Sequence, residues 1–225
     1  MKRVFTFLLA LGLLMPNFTM ATPSPDIFLS SNSVVNRHHR ESRESSVKIV
    51  TLRGHGSGSY FRAGQRHFIL TAKHVLRGVE IVTIQAGGNE LVIGEVKWRS
   101  ETQDIAIIEI PELQTRNPAR IRTSNIRELE IGDELVYSGY PGRNSLLTSG
   151  AMVSGTNSGR YILQGFAWPG SSGSGIIDER GKIRGVLVAI GIEWAAGNPQ
   201  LLETVVWMEP ITTMTWREIR TALEL

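Results

Sequence analysis

Tyr60-Phe61-Arg62-Ala63-Gly64-Gln65-Arg66-His67-Phe68-Ile69-Leu70-Thr71 consists of two short apolar-rich runs on either side of Gly64-Gln65. Aromatic and β-branched residues suit a pleated, half-buried strand, and a short glycine-containing break folds one strand back on its neighbour. The same rhythm extends in both directions. Val47–Leu52 precedes the pair, and Glu80–Gln85, Leu91–Trp98 and Asp104–Ile110 follow it, with Gly87-Gly88 marking another turn. A polar connection from Pro111 to about Glu130 shows no strong periodicity. Six further runs come next: Glu134–Tyr140, Thr148–Gly155, Tyr161–Gln164, Gly175–Asp178, Ile183–Ile190 and Leu201–Trp207, with a hairpin turn at Asp178-Glu179-Arg180-Gly181. Beyond Pro210, the stretch Thr212–Leu223 places Trp216, Ile219 and Leu223 on one helical face. Two sets of six strands, a linker and a terminal helix predict an all-β fold. We expect two six-stranded antiparallel β-barrels, about residues 47–110 and 131–210, and a short C-terminal helix over about 212–223. Closing each sheet into a barrel removes its exposed edges.

Three motifs on this scaffold carry chemistry. Thr71-Ala72-Lys73-His74-Val75 offers an imidazole at a strand end, and imidazole titrates near neutral pH without large perturbation. Asp104-Ile105-Ala106-Ile107-Ile108 opens an apolar strand with a carboxylate, which needs a partner if it is partly buried. Pro169-Gly170-Ser171-Ser172-Gly173-Ser174-Gly175 presents a glycine-flanked hydroxyl just before a strand. A base, an orienting carboxylate and an activated hydroxyl are the ingredients of acyl transfer through a covalent intermediate. Each motif alone has a plainer reading: a surface histidine, a turn aspartate or a flexible Gly/Ser loop. Their co-occurrence in a suitable local context favours the chemical reading.

The chain resembles the trypsin-like (chymotrypsin-fold) serine peptidases, in particular the Deg-type bacterial branch without its PDZ domains. Gly56-Ser57-Gly58-Ser59-Tyr60-Phe61 is similar to the opening G-S-G-x strand of that family. Phe68-Ile69-Leu70-Thr71-Ala72-Lys73-His74-Val75 resembles its histidine run, and Asp104–Ile108 its D-I-A-L-I run. Ile131-Gly132-Asp133 through Gly139-Tyr140-Pro141, and Leu147-Thr148-Ser149-Gly150, resemble the start of its second barrel. The resemblance covers about residues 47–210. It implies a serine endopeptidase with His74 as general base, Asp104 as its orienting carboxylate and Ser172 as nucleophile. It also implies an oxyanion hole formed by the main-chain amides of Gly170 and Ser172. Among the neighbouring serines, the G-x-S-G pattern fits Ser172. Choosing Ser174 would put Ile176 and Ile177 where small residues are required, and choosing Ser171 would put Ser172 in the glycine position. The substrate pocket implied by the resemblance involves Phe166, Ala189 and Ile190. No acid or base falls there, so a small or medium apolar side chain is the expected preference.

Two departures from the family pattern bear on regulation. Family members made as zymogens carry an Asp just before the nucleophile. Here that residue is Ser171, and no Ile-Val-Gly-Gly start exists, so activation by a new N-terminal ammonium is not expected. The segment after Pro210 is also too short for a PDZ domain, so peptide sensing of that kind is not expected in this chain.

The N-terminus reads as a secretory signal peptide over residues 1–21. Lys2 and Arg3 precede an apolar run of about 12 residues, shorter than the roughly 18–20 that span a bilayer, and Thr19-Met20-Ala21 offers a cleavage site. Residues 22–46 read as a mobile polar tail, with its Arg37-His38-His39-Arg40 cluster solvated. Export, to the periplasm or outside the cell, is the expected localisation, with no membrane span after signal cleavage. The formal charge of +3 falls to about +1 when Lys2 and Arg3 leave, which gives no case for nucleic acid. With no cysteine, disulfides, thiolate catalysis and Cys-based zinc are excluded. No metal-ligand motif such as H-E-x-x-H is found, so neither metal nor cofactor is expected, and the partners are protein or peptide substrates. An α/β-hydrolase is excluded because no G-x-S-x-G elbow exists and the order there would be Ser, Asp, His. The remaining alternative is a catalytically weak or inactive peptide- or protein-binding module on the same fold.

Overall fold

The computed structural model describes residues 36–121, 127–142, 144–195 and 198–225, the side chains of residues 193–195 and 213–214 excepted. The signal-peptide reading and most of the polar-tail reading lie outside these residues. Two closed antiparallel barrels organise the chain. The first contains β1 (Ser46–Thr51), β2 (Gly54–Ala63), β3 (Arg66–Thr71), β4 (Ile81–Gln85), β5 (Leu91–Arg99) and β6 (Ala106–Ile110), in the order β1-β2-β3-β6-β5-β4. The β1–β4 pairing, Ile49 opposite Ile84, closes the ring. One helical turn, α2 (Lys73–Leu76), leaves β3. A short strand, β7 (Arg120–Ile121), follows the first barrel.

The second barrel contains β8 (Glu134–Gly139), β9 (Leu147–Asn157), β10 (Arg160–Gly165), β11 (Gly175–Asp178), β12 (Lys182–Ala195) and β13 (Asn198–Pro210). Its order is β11-β8-β9-β10-β13-β12, closed by the β11–β12 pairing, with β7 added parallel to β12. The hairpin at Asp178 is held by its own carboxylate, whose Oδ1 accepts the amides of Arg180 and Lys182, each at 3.0 Å.

Alternation along three strands explains why the barrels stay together. In β8, Leu135 and Tyr137 face the core of the second barrel while Val136 joins the core that runs through the first. Ile176 and Ile177 in β11 divide the same way, as do Leu187 against Val186 and Val188 in β12. These strands are buried on both faces, which is why they read as continuous apolar runs rather than alternating ones. The C-terminal helix, α3 (Thr213–Leu223), caps the first barrel instead of the second. Ile219 and Leu223 join the first core, and Trp216 packs edge-on against Phe61 with ring centroids 6.4 Å apart. A capping box between Thr212 and Thr215 starts the helix.

The structure departs from the sequence expectation in several places. Residues 37–45, read as part of a polar tail, form the helix α1 (Arg37–Ser45), packed chiefly on β8. Its contact is polar: Ser42 Oγ donates to Ser138 Oγ at 2.9 Å, and Arg43 donates to Leu146 O and Thr148 Oγ1. Without an apolar stripe, the helix leaves no hydrophobic periodicity to read. Asp104 and Ile105 precede β6 rather than opening it, because Asp104 lies in the bend that turns back toward His74. The β12–β13 hairpin also runs further than its apolar runs suggested, since its outer pairs, such as Glu193 with Gln200, lie beyond them.

Candidate active site

Each limb of the site is set by a local feature of the chain. Ala72, in extended geometry, ends β3 and starts α2, and Arg77 at φ 44° stops it after one turn. Val75 and Leu76 are buried, and this anchors the turn so that His74 stands 45% exposed. Val75 packs against Gly56 of β2, where a Cβ would lie 2.6 Å from Val75 and 3.1 Å from Ser172 O. The histidine turn and the serine loop therefore meet at Gly56.

His74 and Asp104 are hydrogen-bonded twice. The ring Nδ1 lies 2.6 Å from Asp104 Oδ2, and the main-chain N–H of His74 donates to Oδ1 at 2.9 Å. Facing an ionised carboxylate, Nδ1 must carry a proton, which in the neutral ring leaves Nε2 as the acceptor. Burial pushes the Asp104 carboxyl up. The hydrogen bonds from the His74 ring and main chain, with the charges of His74 and Arg160, hold it below its ordinary value of 3.8.

The three neighbouring serines differ in what their hydroxyls do. Ser171 and Ser174 are buried. Ser174 Oγ donates to Ser171 O at 2.8 Å, and Ser171 Oγ accepts a long 3.4 Å bond from the Trp168 amide. Ser172 is half-buried, and among the described residues its hydroxyl has no hydrogen-bond partner. It is not bonded to His74. The structure thus joins the His–Asp half of the expected constellation and leaves the Ser–His half open. Such contacts are often long in the absence of substrate and tighten when it binds.

The main chain around Ser172 is fixed peptide by peptide. Pro169 O accepts from Gly142 N at 2.6 Å, and Ser171 O accepts from Ser174 N at 3.1 Å. In a trans peptide the N–H points opposite to the C=O. Holding those two carbonyls therefore sets the direction of the Gly170 and Ser172 amides, neither of which has an acceptor among the described residues. Gly170 and Gly173 have φ of 104° and 93°, a region that favours glycine. A Cβ on Gly170 would overlap Tyr140 O, and one on Gly173 would overlap Ser57 O and Thr71 Oγ1.

The expected pocket residues lie on two segments. Phe166 is half exposed just after β10, whereas Ala189 and Ile190 of β12 pack partly into the cores. The segments are tied through β13, where Ala167 N donates to Glu203 O at 2.9 Å. The other histidines have structural surroundings. His55 Nε2 lies 3.0 Å from Tyr140 O, His67 pairs with the Tyr60 hydroxyl, and the half-buried His38 and His39 lie on α1. No group of three metal-binding side chains occurs among the described residues. None of their helices is long and apolar enough to cross a membrane. Sequence reading did not foresee Arg160 near Asp104, or the bonds through which β2 holds the serine loop. Alternating Gly and Ser over residues 56–59 was the available signal for the second, since it puts both hydroxyls on one face.

A family model described as a trypsin-like peptidase domain matches residues 56–186. A Haemophilus influenzae protein named "probable periplasmic serine protease do/HhoA-like" is 29% identical over 157 residues, which cover 65% of this chain and 33% of that protein. The serine protease Do-like HtrA of Lactobacillus helveticus is 24% identical over 161 residues, covering 65% of this chain and 38% of the relative. The chain thus spans about a third of the length of these curated relatives. Among solved structures, the inactive form of a Mycobacterium tuberculosis protease superposes with a TM-score of 0.64 at 20% identity, covering 89% of this chain and 97% of that one. At that identity the likeness concerns the fold alone.

Proposed function

The chain belongs to the trypsin-like peptidase family, and on that premise we propose a serine endopeptidase using His74, Asp104 and Ser172. The observation that carries the proposal is the double hydrogen bond from His74 to Asp104, which presents Nε2 as the free base. In the proposed reaction Ser172 Oγ attacks the peptide carbonyl carbon while its proton passes to His74 Nε2. The oxyanion is held by the amides of Gly170 and Ser172. The C–N bond breaks as the imidazolium returns the proton to the leaving amine, giving an acyl-enzyme. Water, deprotonated by the same ring, then releases the acid and restores the hydroxyl. Asp104 stays ionised throughout, which suits a carboxylate held below its usual range.

The substrates in this reading are proteins or peptides with a small or medium apolar side chain at the cleaved bond, received beside Phe166, Ala189 and Ile190. Export to the periplasm or beyond is proposed from the N-terminal leader pattern, in line with a relative whose name places it in the periplasm.

The purified chain should label with a fluorophosphonate serine probe and cleave an unfolded protein. Ser172→Ala should abolish labelling and lower kcat by on the order of 10⁶. A wild-type chain that neither labels nor cleaves would leave a binding module on the same fold. Labelling that survives in Ser172→Ala but is lost in Ser174→Ala would move the nucleophile.

A further inference from the structure

Ser57 is fully buried in β2, and each of its main-chain and side-chain polar groups is engaged with the site. Its Oγ donates to Gly170 O at 2.7 Å and accepts from Tyr140 N at 2.9 Å. Its N–H donates to Ser172 O at 2.8 Å, and its carbonyl accepts from Thr71 Oγ1 at 2.7 Å. One first-barrel residue therefore touches the serine loop at two points, the β8–β9 loop at a third, and the end of the strand that delivers His74 at a fourth.

The peptide held by the Ser57 hydroxyl is the one between the two oxyanion donors. The Pro169–Gly170 peptide is held by Gly142 N, and the Ser171–Ser172 peptide by Ser174. Between them the Gly170–Ser171 carbonyl points into the protein and meets Ser57 Oγ. Glycine at 170, at φ 104°, has no side chain to restrain the backbone. The N–H of this middle peptide donates to Trp168 O at 2.9 Å within the loop, and its carbonyl accepts from Ser57 Oγ, so Ser57 supplies the hold from the first barrel on the angle between the two flanking amides.

We propose that Ser57 is a positioning residue, its hydroxyl fixing the Gly170–Ser171 peptide so that the Gly170 and Ser172 amides converge on one point. This inference rests on the peptidase reading given above. Ser59, two residues along the same face and equally buried, donates no bond to this peptide. Its Oγ accepts from Gly175 N at 3.0 Å, beyond the loop. It is the matched control, a buried hydroxyl of the same strand bonded to the same second-barrel segment.

The test compares Ser57→Ala, Ser57→Cys and Ser59→Ala in the full chain. For Ser57→Ala, kcat and the rate of fluorophosphonate labelling should fall about 10–100-fold, with KM within about twofold, as expected for misplaced transition-state donors. Ser57→Cys, isosteric with a weaker donor, should fall between Ser57→Ala and wild type. Ser59→Ala should lower the unfolding temperature about as much as Ser57→Ala while keeping kcat within about threefold. If Ser57→Ala and Ser59→Ala lose kcat in proportion to their loss of stability, Ser57 is only structural and the inference is overturned. The same follows if Ser57→Ala keeps its kcat. Hydrogen exchange over residues 168–174 separates this failure from failure of the peptidase reading. The exchange should speed up at least about tenfold in Ser57→Ala but not in Ser59→Ala, even for a chain that does not cleave. Unchanged exchange overturns the inference.

Discussion

Asp104 receives two hydrogen bonds from His74, and they do different work. The bond from the main-chain amide ties the one-turn helix to the bend before β6, while the bond from Nδ1 selects the ring tautomer. Asp104→Asn separates the two. The carboxamide oxygen can keep the main-chain bond, but its NH₂ then faces Nδ1 and favours the tautomer whose proton sits on Nε2. That ring cannot accept from Ser172. We expect kcat to drop on the order of 10⁴ with little change in unfolding temperature. A variant that keeps more than a tenth of wild-type kcat would remove Asp104 from the proposed triad. At this scale His74 and Asp104 were legible in the sequence, because an imidazole at the end of Phe68–Thr71 and a carboxylate before Ile105–Ile110 are chemically conspicuous. Ser57 was not, because a serine between two glycines in a strand shows no sign of the carbonyl it will meet 113 positions later.

Among the elements, α1 shows how a packed helix can be read as solvated. Its sequence, Arg37-His38-His39-Arg40-Glu41-Ser42-Arg43-Glu44-Ser45, has no apolar residue, yet Ser42 and Ser45 are buried. Hydroxyls and carbonyls make the contact. Ser42 Oγ meets Ser138 Oγ, which also pairs with Thr148 Oγ1 at 2.9 Å, and Ser46 Oγ reaches both Ser42 O and Ser138 O. Ser138 is fully buried in β8 and stands at the centre of this group. Ser138→Ala should lower stability by about 1–3 kcal/mol, the usual cost of leaving a buried hydroxyl such as that of Ser42 without its partner. The denaturant midpoint reads the change, and fluorophosphonate labelling at low denaturant should persist. An unchanged midpoint would mean that the Ser42–Ser138–Thr148 hydroxyl group contributes nothing to stability.

Across the whole molecule, the site is a product of how the barrels join. The doubly buried strands β8, β11 and β12 hold them face to face, and the serine loop then lies against β2 instead of solvent. Within each barrel, local hydrogen bonds hold several carboxylates below their usual range. Glu109 is held down by the hydrogen bond from Arg66. For Glu90, Asp104 and Asp133, burial pushes upward but is outweighed by hydrogen bonds from Thr115 and its neighbours, from His74, and from Glu130 N and Arg127 respectively. A lowered folded-state pKa means that the unfolded chain takes up protons first as the pH falls. The stabilisation is thus fully present above the ordinary values of 4.5 for Glu and 3.8 for Asp, and is lost as the pH falls below them toward the lowered folded values. Thermal unfolding followed against pH should show a plateau near neutrality and a steady decline below about pH 4.5. A midpoint unchanged between about pH 6 and pH 3 would contradict these assignments.

The amino-acid sequence determined the period-two strands, their turns and the chemical types of the proposed catalytic residues, since each depends on local spacing and side-chain identity. Its resemblance to the family's G-x-S-G pattern singled out Ser172 as the proposed nucleophile. Only the tertiary structure decided which hydroxyls are committed. Ser174 is bonded within its own loop, Ser57 reaches across to Gly170, and Ser172 is left open. Tertiary structure also decided that a polar helix packs against β8 and that α3 covers the first barrel. The physical reason is range. Hydrophobic periodicity and turn preference act over a few residues, whereas a hydrogen bond between barrels exists only once two distant segments have been brought within about 3 Å.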